Sequence, residues 1–276
     1  MKGVKWRRRW ISLSSLAILA LAAIIGLLLY TGVLSIHHPE RQGYTVRGVD
    51  VSSYQGTIDW SVLAEQDIQF AYIKATEGSS LVDPCFSDNF QQAVQTPLYV
   101  GAYHFFSYDS PADTQADLFL QTVPLDQATL PPAVDVEFYG DHDKNPPDPG
   151  RVRQELQILL DRLEEAGGKR PVLYATARSY ALYLSEHFEE YPIWIRDLLN
   201  QPRLPDGKEW TFWQYNSRGR LKGYTGREPY IDLNVFGGTA EEWQRFVSSS
   251  PTDPHKEAAV RSKSAAAAFW CADIGM

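Results

Sequence analysis

From Val46 onward, short apolar runs rich in β-branched and aromatic residues alternate with stretches of helical periodicity. The runs Val46–Ser52, Phe70–Thr76, Tyr99–Phe106, Pro132–Phe138, Pro171–Thr176, Tyr191–Arg196, Trp210–Tyr215 and Ile231–Phe236 predict eight strands. The clearest predicted helix runs from Arg151 to Ala166. There Val152, Leu156, Leu159, Leu160 and Leu163 recur at i, i+4, i+7, i+8 and i+11, Pro149 stands near the start, and Gly167-Gly168 ends the pattern. Shorter helices are predicted over Trp60–Gln66, Phe86–Gln95, Ala112–Thr122 and Ser179–His187. Asp197–Glu209 and Asn216–Tyr230, rich in Gly, Pro and charge, read as loops. This order predicts an α/β fold, an irregular (β/α) barrel of eight strands with several helices missing. A doubly wound open sheet is the alternative. No Gly-rich phosphate loop follows any strand, since Thr76-Glu-Gly-Ser-Ser is too short a signal.

The start of the chain follows a different pattern. Residues 1–10 are basic, and residues 11–36 carry no charged side chain. The 24 residues from Ile11 to Leu34 are long enough, as a helix, to cross a bilayer with some tilt. A cleaved signal peptide is the competing reading, but the run exceeds a usual signal core and no small-x-small cleavage site follows it. The expected order is a basic cytoplasmic segment (1–10), a transmembrane signal-anchor helix (11–34), a stalk (35–45), a barrel (46–247) and a flexible tail (248–276). The positive-inside rule then puts the barrel on the periplasmic or extracellular side of the cytoplasmic membrane.

Composition adds little to the fold and more to the ligand. Hydrophobic residues make up 44% of the 276, ample for a core, while eight Trp and fifteen Tyr favour a cleft that packs aromatic faces on sugars. Net charge is −8; since Lys2, Lys5, Arg7, Arg8 and Arg9 are all basic, residues 11–276 carry −13. An acidic body argues against nucleic-acid binding. Two cysteines, Cys85 and Cys271, make neither a disulfide framework nor a metal site.

Within Pro131–Phe138, Asp135 and Glu137 stand two residues apart on a predicted strand, and so on one face. Two acids held that close repel, and one is expected to keep its proton near neutrality, giving an acid and an anion side by side. Glycoside hydrolysis asks for such a pair. The alternative is a strand end emerging into a solvated loop, because Tyr139-Gly140-Asp141 follows at once. In a barrel, catalytic groups sit at the C-terminal strand ends. Asp50 falls late in the first strand and fits, whereas Asp232 opens the last strand and faces the wrong end.

Taken in order, the motifs resemble those of the family-25 glycoside hydrolases, the Chalaropsis-type muramidases. The likeness runs through Gly48-Val-Asp-Val-Ser-Ser-Tyr-Gln-Gly, Ile58-Asp-Trp, Phe70-Ala-Tyr-Ile-Lys-Ala-Thr-Glu-Gly, Asp83-Pro84, Asn89-Phe90 and Gly101-Ala-Tyr-His-Phe-Phe. It continues through Asp135-Val-Glu137, Trp213-Gln-Tyr and Ile231-Asp-Leu-Asn-Val-Phe, covering about residues 46–247. The resemblance implies an eight-stranded barrel and cleavage of the β-1,4 bond between N-acetylmuramic acid and N-acetylglucosamine in peptidoglycan, with no metal or cofactor. It implies Glu137 as proton donor, Asp135 as its partner, and Asp50 and Asp232 as further acids of the cleft floor. Tyr103, Tyr174, Trp213 and Tyr215 are candidate substrate-binding aromatics, with Tyr103 and Trp213 favoured as cleft-lining.

Each residue also has a plainer reading. Asp50 before Ser52-Ser53 suits an Asx turn, Asp232 a pair with Arg227, and His104 a buried, hydrogen-bonded histidine. Asp141-His142-Asp143 sits in a Pro-rich stretch and reads as a solvated loop rather than a metal site. Two other functions stay open: a hydrolase of another N-acetylated glycan such as chitin, and an inactive glycan-binding module. The chitinase pattern wants further acids upstream, where this chain has Pro131 and Ala133. The sequence does not set an oligomeric state.

Overall fold

The computed structural model describes residues 18–32, 34 and 36–248. Nine strands form one sheet: β1 (Arg47–Val51), β2 (Phe70–Glu77), β3 (Leu81–Val82), β4 (Tyr99–Phe105), β5 (Ala133–Val136), β6 (Val172–Thr176), β7 (Ile193–Arg196), β8 (Phe212–Gly219) and β9 (Ile231–Phe236). Eight of them close on themselves in the order β1-β9-β8-β7-β6-β5-β4-β2, with β2 pairing back to β1. The two-residue β3 only folds back on β2. This is the predicted barrel, and the open-sheet alternative falls away because the edge strands pair. β9 runs antiparallel to both β1 and β8, while the other neighbours around the barrel are parallel. Its start therefore lies at the same rim as the ends of the others, which corrects the expectation that Asp232 faces the wrong way. Hydrophobic periodicity is blind to strand direction.

The helices are α1 (Trp60–Ala64), α2 (Phe86–Ala93), α3 (Ala112–Thr122), α4 (Pro149–Gly167) and α5 (Ala240–Ser248). Asp148 caps α4 by accepting the Arg151 N–H at 2.9 Å, and Gly168, at φ 64°, ends it by donating to Glu164 O at 2.8 Å. The predicted Ser179–His187 helix is instead a capped turn, Ala177–Ser179, running into a π-helical turn, Tyr180–Leu184. α5 was not anticipated, although Trp243, Phe246 and Val247 lie at i, i+3 and i+4 on one face.

Strand alternation divides the core in two. Outward side chains such as Val49, Ala71, Ile73, Val100, Val134, Leu173 and Ile195 pack beneath the helices. Inward ones, Phe70, Tyr72, Ala133, Val172, Trp194, Phe212 and Phe236, fill the lower barrel, and Trp243 and Val247 of α5 belong to the same cluster. Two glycines make that filling possible. A Cβ on Gly48 would meet the Phe70 ring at 2.4 Å, and one on Gly101 the Tyr72 ring at 2.5 Å.

Residues 18–30 are helical. Among the described residues no helix is long and apolar enough to cross a membrane. The first seven residues of the expected span 11–34, the basic segment 1–10 and all of the tail but Ser248 lie outside the described residues.

Candidate active site

At the upper rim the inward side chains turn from apolar to charged. Asp50, Lys74, Tyr103, Asp135, Glu137, Tyr174, Arg196, Gln214 and Asp232 line a cavity of about 390 Å³, with Trp194 at its base and Tyr54 and Glu228 at its edge. All four acids singled out in the sequence enter it. Register explains the convergence. Asp50 pairs with Asp232 across β1 and β9, and Asp135 pairs with Phe105 and Tyr174 on its two sides. Glu137 lies one residue past β5, yet keeps the inward direction that i, i+2 spacing gives it.

Asp50 is the most firmly held. Its Oδ2 accepts from Asn234 Nδ2 at 2.7 Å and Gln214 Nε2 at 2.9 Å. Asn234 Oδ1 accepts the Trp194 indole N–H at 2.8 Å, and an indole N–H only donates, so the amide must present its NH2 to Asp50. Tyr174 donates its hydroxyl to Gln214 Oε1 at 3.0 Å, orienting the second amide likewise. Burial raises the Asp50 carboxyl, against the pull of these two donors and Arg196. The Asx-turn reading does not hold: Ser52 N–H goes to Gln55 Oε1 and Ser53 N–H to Asp83 Oδ2.

Asp135 is held least. Its Oδ1 is buried without a hydrogen-bond partner. Burial, and then the charge of Glu137, push this carboxyl well above the usual aspartate range. Glu137 is also raised by burial, but Arg196 opposes the shift, with Nη1 at 3.7 Å from Oε2. Asp232 is raised well above its usual range by burial and then by Asp50. Arg227, its suggested partner, lies over the Tyr54 ring at 4.9 Å instead. Burial thus raises all four carboxyls, the direction that acid chemistry requires.

Of the candidate aromatics, Tyr103 and Tyr174 line the cavity, and Trp213 and Tyr215 do not. Inside β8 it is Phe212 and Gln214 that face inward, so Trp213 and Tyr215 pack on the outer wall with Val235. Trp213 donates its indole N–H to Asp197 O at 2.7 Å, and its ring meets His37 at 5.0 Å. Expecting the aromatics of that strand to meet the ligand chose the wrong face. The residues missed were Lys74, Trp194, Arg196, Gln214 and Asn234. A polar side chain inside an apolar strand, such as Asn234 in Leu233-Asn234-Val235, was the available signal.

Two other groups find structural partners. His104 is fully buried, its Nδ1 2.7 Å from Thr76 Oγ1 and its Nε2 2.9 Å from Gln115 Oε1. That Oε1 also accepts the Ser107 N–H, so His104 donates through Nε2 and accepts at Nδ1. Burial lowers this imidazole to about 4, so it stays neutral. In the Asp141-His142-Asp143 stretch, His142 Nε2 meets Asp109 at 3.1 Å and Asp143 pairs with Arg178. Among the described residues no three acid, His or Cys side chains converge to hold a metal.

The family model "Glycosyl hydrolases family 25" matches residues 49–224. The chain is 40% identical over 225 residues to the uncharacterised protein YegX of Escherichia coli O157:H7, covering 80% of this chain and 79% of that one. It is 32% identical over 211 residues to lysozyme M1 of Streptomyces globisporus, covering 71% of this chain and 69% of the relative. A solved family-25 glycosyl hydrolase from Bacillus anthracis superposes with a TM-score of 0.71 at 51% identity, covering 76% of this chain and 96% of the other. Motif order, barrel and acid-lined cavity thus agree with the family match, and the chain belongs to the family-25 glycosyl hydrolases.

Proposed function

We propose that this glycoside hydrolase is a peptidoglycan muramidase that cuts the β-1,4 bond between N-acetylmuramic acid and N-acetylglucosamine. The observation that carries the reading is the convergence of Asp50, Asp135, Glu137 and Asp232 on one cavity at the upper rim. Relatives named lysozyme and N,O-diacetylmuramidase support the substrate class.

Glu137 is the proton donor. It is more open to solvent than Asp135, a buried residue 8% exposed, so a glycosidic oxygen entering the cavity meets Glu137 first. The C1–O bond breaks, the leaving oxygen takes the Glu137 proton, and water then supplies hydroxyl to C1 and a proton back to Glu137. Asp135, behind it, shares the charge of the pair, and the charge of Glu137 helps to hold the Asp135 carboxyl up. Asp50, whose Oδ2 accepts from two amide donors, and Asp232 set carboxyl oxygens in the cavity where positive charge develops at C1. Tyr103 and Tyr174 pack against the sugar.

The enzyme is also held at the cytoplasmic membrane, facing outward. Ile18, Leu19, Leu21, Ile24 and Leu27 expose apolar side chains on the 18–30 helix, which continues the uncharged run from Ile11. Resistance of the full chain to carbonate extraction from membranes is the expected outcome; release would remove the anchor.

The deciding experiment digests purified peptidoglycan with the full chain in mild detergent and reads borohydride-reduced products by mass spectrometry. Reduced muramic acid ends are expected. Glu137→Gln is expected to lower turnover by about 10²–10⁴-fold while the fold stays intact. Reduced glucosamine ends would move the cut to the other bond. Cleavage of chitin oligomers alone would replace the substrate class.

A further inference from the structure

Arg196 ends β7, and its side chain enters the cavity two residues beyond the inward-facing Trp194. The guanidinium lies 3.7 Å from Glu137 Oε2, an ion pair too long for a hydrogen bond. Lys74, the other cation lining the cavity, is engaged elsewhere, with Nζ 2.6 Å from Glu77 Oε2. Arg196 is therefore the cation set against the reacting acid.

We propose that Arg196 is the positioning residue of the general acid, holding the Glu137 carboxyl toward the cavity and fixing the upper pH limit of turnover. This inference rests on Glu137 being the proton donor.

Glu137 is faced from every side by groups that bear on its proton: Asp135 on its own strand, Asp50 on β1, Lys74 on β2, Tyr174 on β6, Arg196 on β7, Asp232 on β9 and Tyr108 beyond β4. Burial and Asp50 push the carboxyl up; Arg196, more than Lys74, pulls it down. A carboxyl that must give a proton and take one back works best near the ambient pH. Burial beside Asp50 raises the carboxyl, and a cation at 3.7 Å opposes that rise. Because the acid works only while protonated, turnover falls as pH rises through its pKa. Removing the cation raises that pKa and moves the alkaline limb upward.

The test follows kcat/KM against pH for clearing of peptidoglycan by the full chain and its Arg196→Gln, Arg196→Lys and Glu137→Gln variants. Arg196→Gln is expected to move the alkaline limb up by about one pH unit, the low end for an opposite charge at this range on a partly exposed pair. Arg196→Lys keeps the charge and is expected to hold the limb within a few tenths of a unit of the parent. An unmoved limb in Arg196→Gln overturns the proposal, whatever the loss in rate, and leaves Arg196 a substrate contact. Equal movement in both variants overturns it too, since shape and not charge would then matter. Undiminished turnover by Glu137→Gln would instead overturn the assignment of the acid beneath it.

Discussion

The two halves of the barrel interior stand on the same strands and obey opposite rules. In the lower half every inward position is apolar, and ring meets ring: Phe70 and Phe212 at 5.2 Å, Tyr72 and Trp194 at 5.0 Å, Phe236 and Trp243 at 5.3 Å. Two residues further up those strands the inward positions become Lys74, Arg196, Gln214 and Asn234, with Asp232 two residues beyond, and polar atoms go unmatched. Asp135 Oδ1 lacks a partner, and at the border so does the Tyr72 hydroxyl. Each such group costs on the order of 1–3 kcal/mol. The rim can hold a strained set of acids because the aromatic half below buries enough apolar surface to offset it.

The sharpest way to break the comparison is to hollow out the lower half. Trp243 is buried at 3% exposure between Phe70, Phe236 and Phe246. Trp243→Ala is expected to cost about 3–5 kcal/mol, as large aromatic deletions do. Thermal unfolding measures that loss, and kcat per folded molecule at low temperature should stay close to the parent. A variant that melts normally but has lost activity would mean the plug shapes the site directly.

The opposite intervention relieves the rim. Asp135 has its carboxyl raised in the folded state, by burial and by Glu137. The sign then follows. Below the unfolded-state value near 4, both states hold the proton and nothing is lost. As pH rises from there toward the folded-state value, the unfolded chain releases its proton first, and stability falls. Asp135→Asn removes this penalty. It is expected to melt about 2–6 °C higher than the parent at pH 7.5 and to lose that advantage near pH 4. Equal melting temperatures at both pH values would show that the orphaned carboxyl costs nothing.

This division was only half legible in the sequence. β-branched runs announced the strands, so all eight barrel strands and helix α3 were found, although β8 runs on to Gly219, into the expected Asn216–Tyr230 loop, and Asp135-Val136-Glu137 placed two acids on one face by spacing alone. Strand direction leaves no trace in periodicity, so Asp232 looked misplaced until β9 proved antiparallel. Which face of a mixed strand turns inward was equally hidden in β8. Phe212 and Gln214 face in while Trp213 and Tyr215 face out, and both faces are buried because helices or loops cover the outside. Arg196 escaped notice because an arginine at a strand end is ordinarily solvated, and only closure of the barrel sets it against Glu137.

The smallest expected effect sharpens the comparison across the barrel wall. Trp213 is fully buried, yet it stands on the far side of β8 from Gln214, and its indole N–H holds the carbonyl of Asp197, the residue after Arg196. Trp213→Phe keeps an aromatic ring but gives up that hydrogen bond and part of the packing against Trp210 and Tyr215. The expected cost is about 1–2 kcal/mol in stability, with kcat/KM within about twofold of the parent, since no contact to substrate is lost. If the alkaline limb of the pH profile moved as well, the Asp197 carbonyl would be the route by which an outer residue sets the direction of the Arg196 side chain. An unmoved limb with a lower melting temperature confines Trp213 to the wall, and leaves the chemistry to the residues that alternate inward.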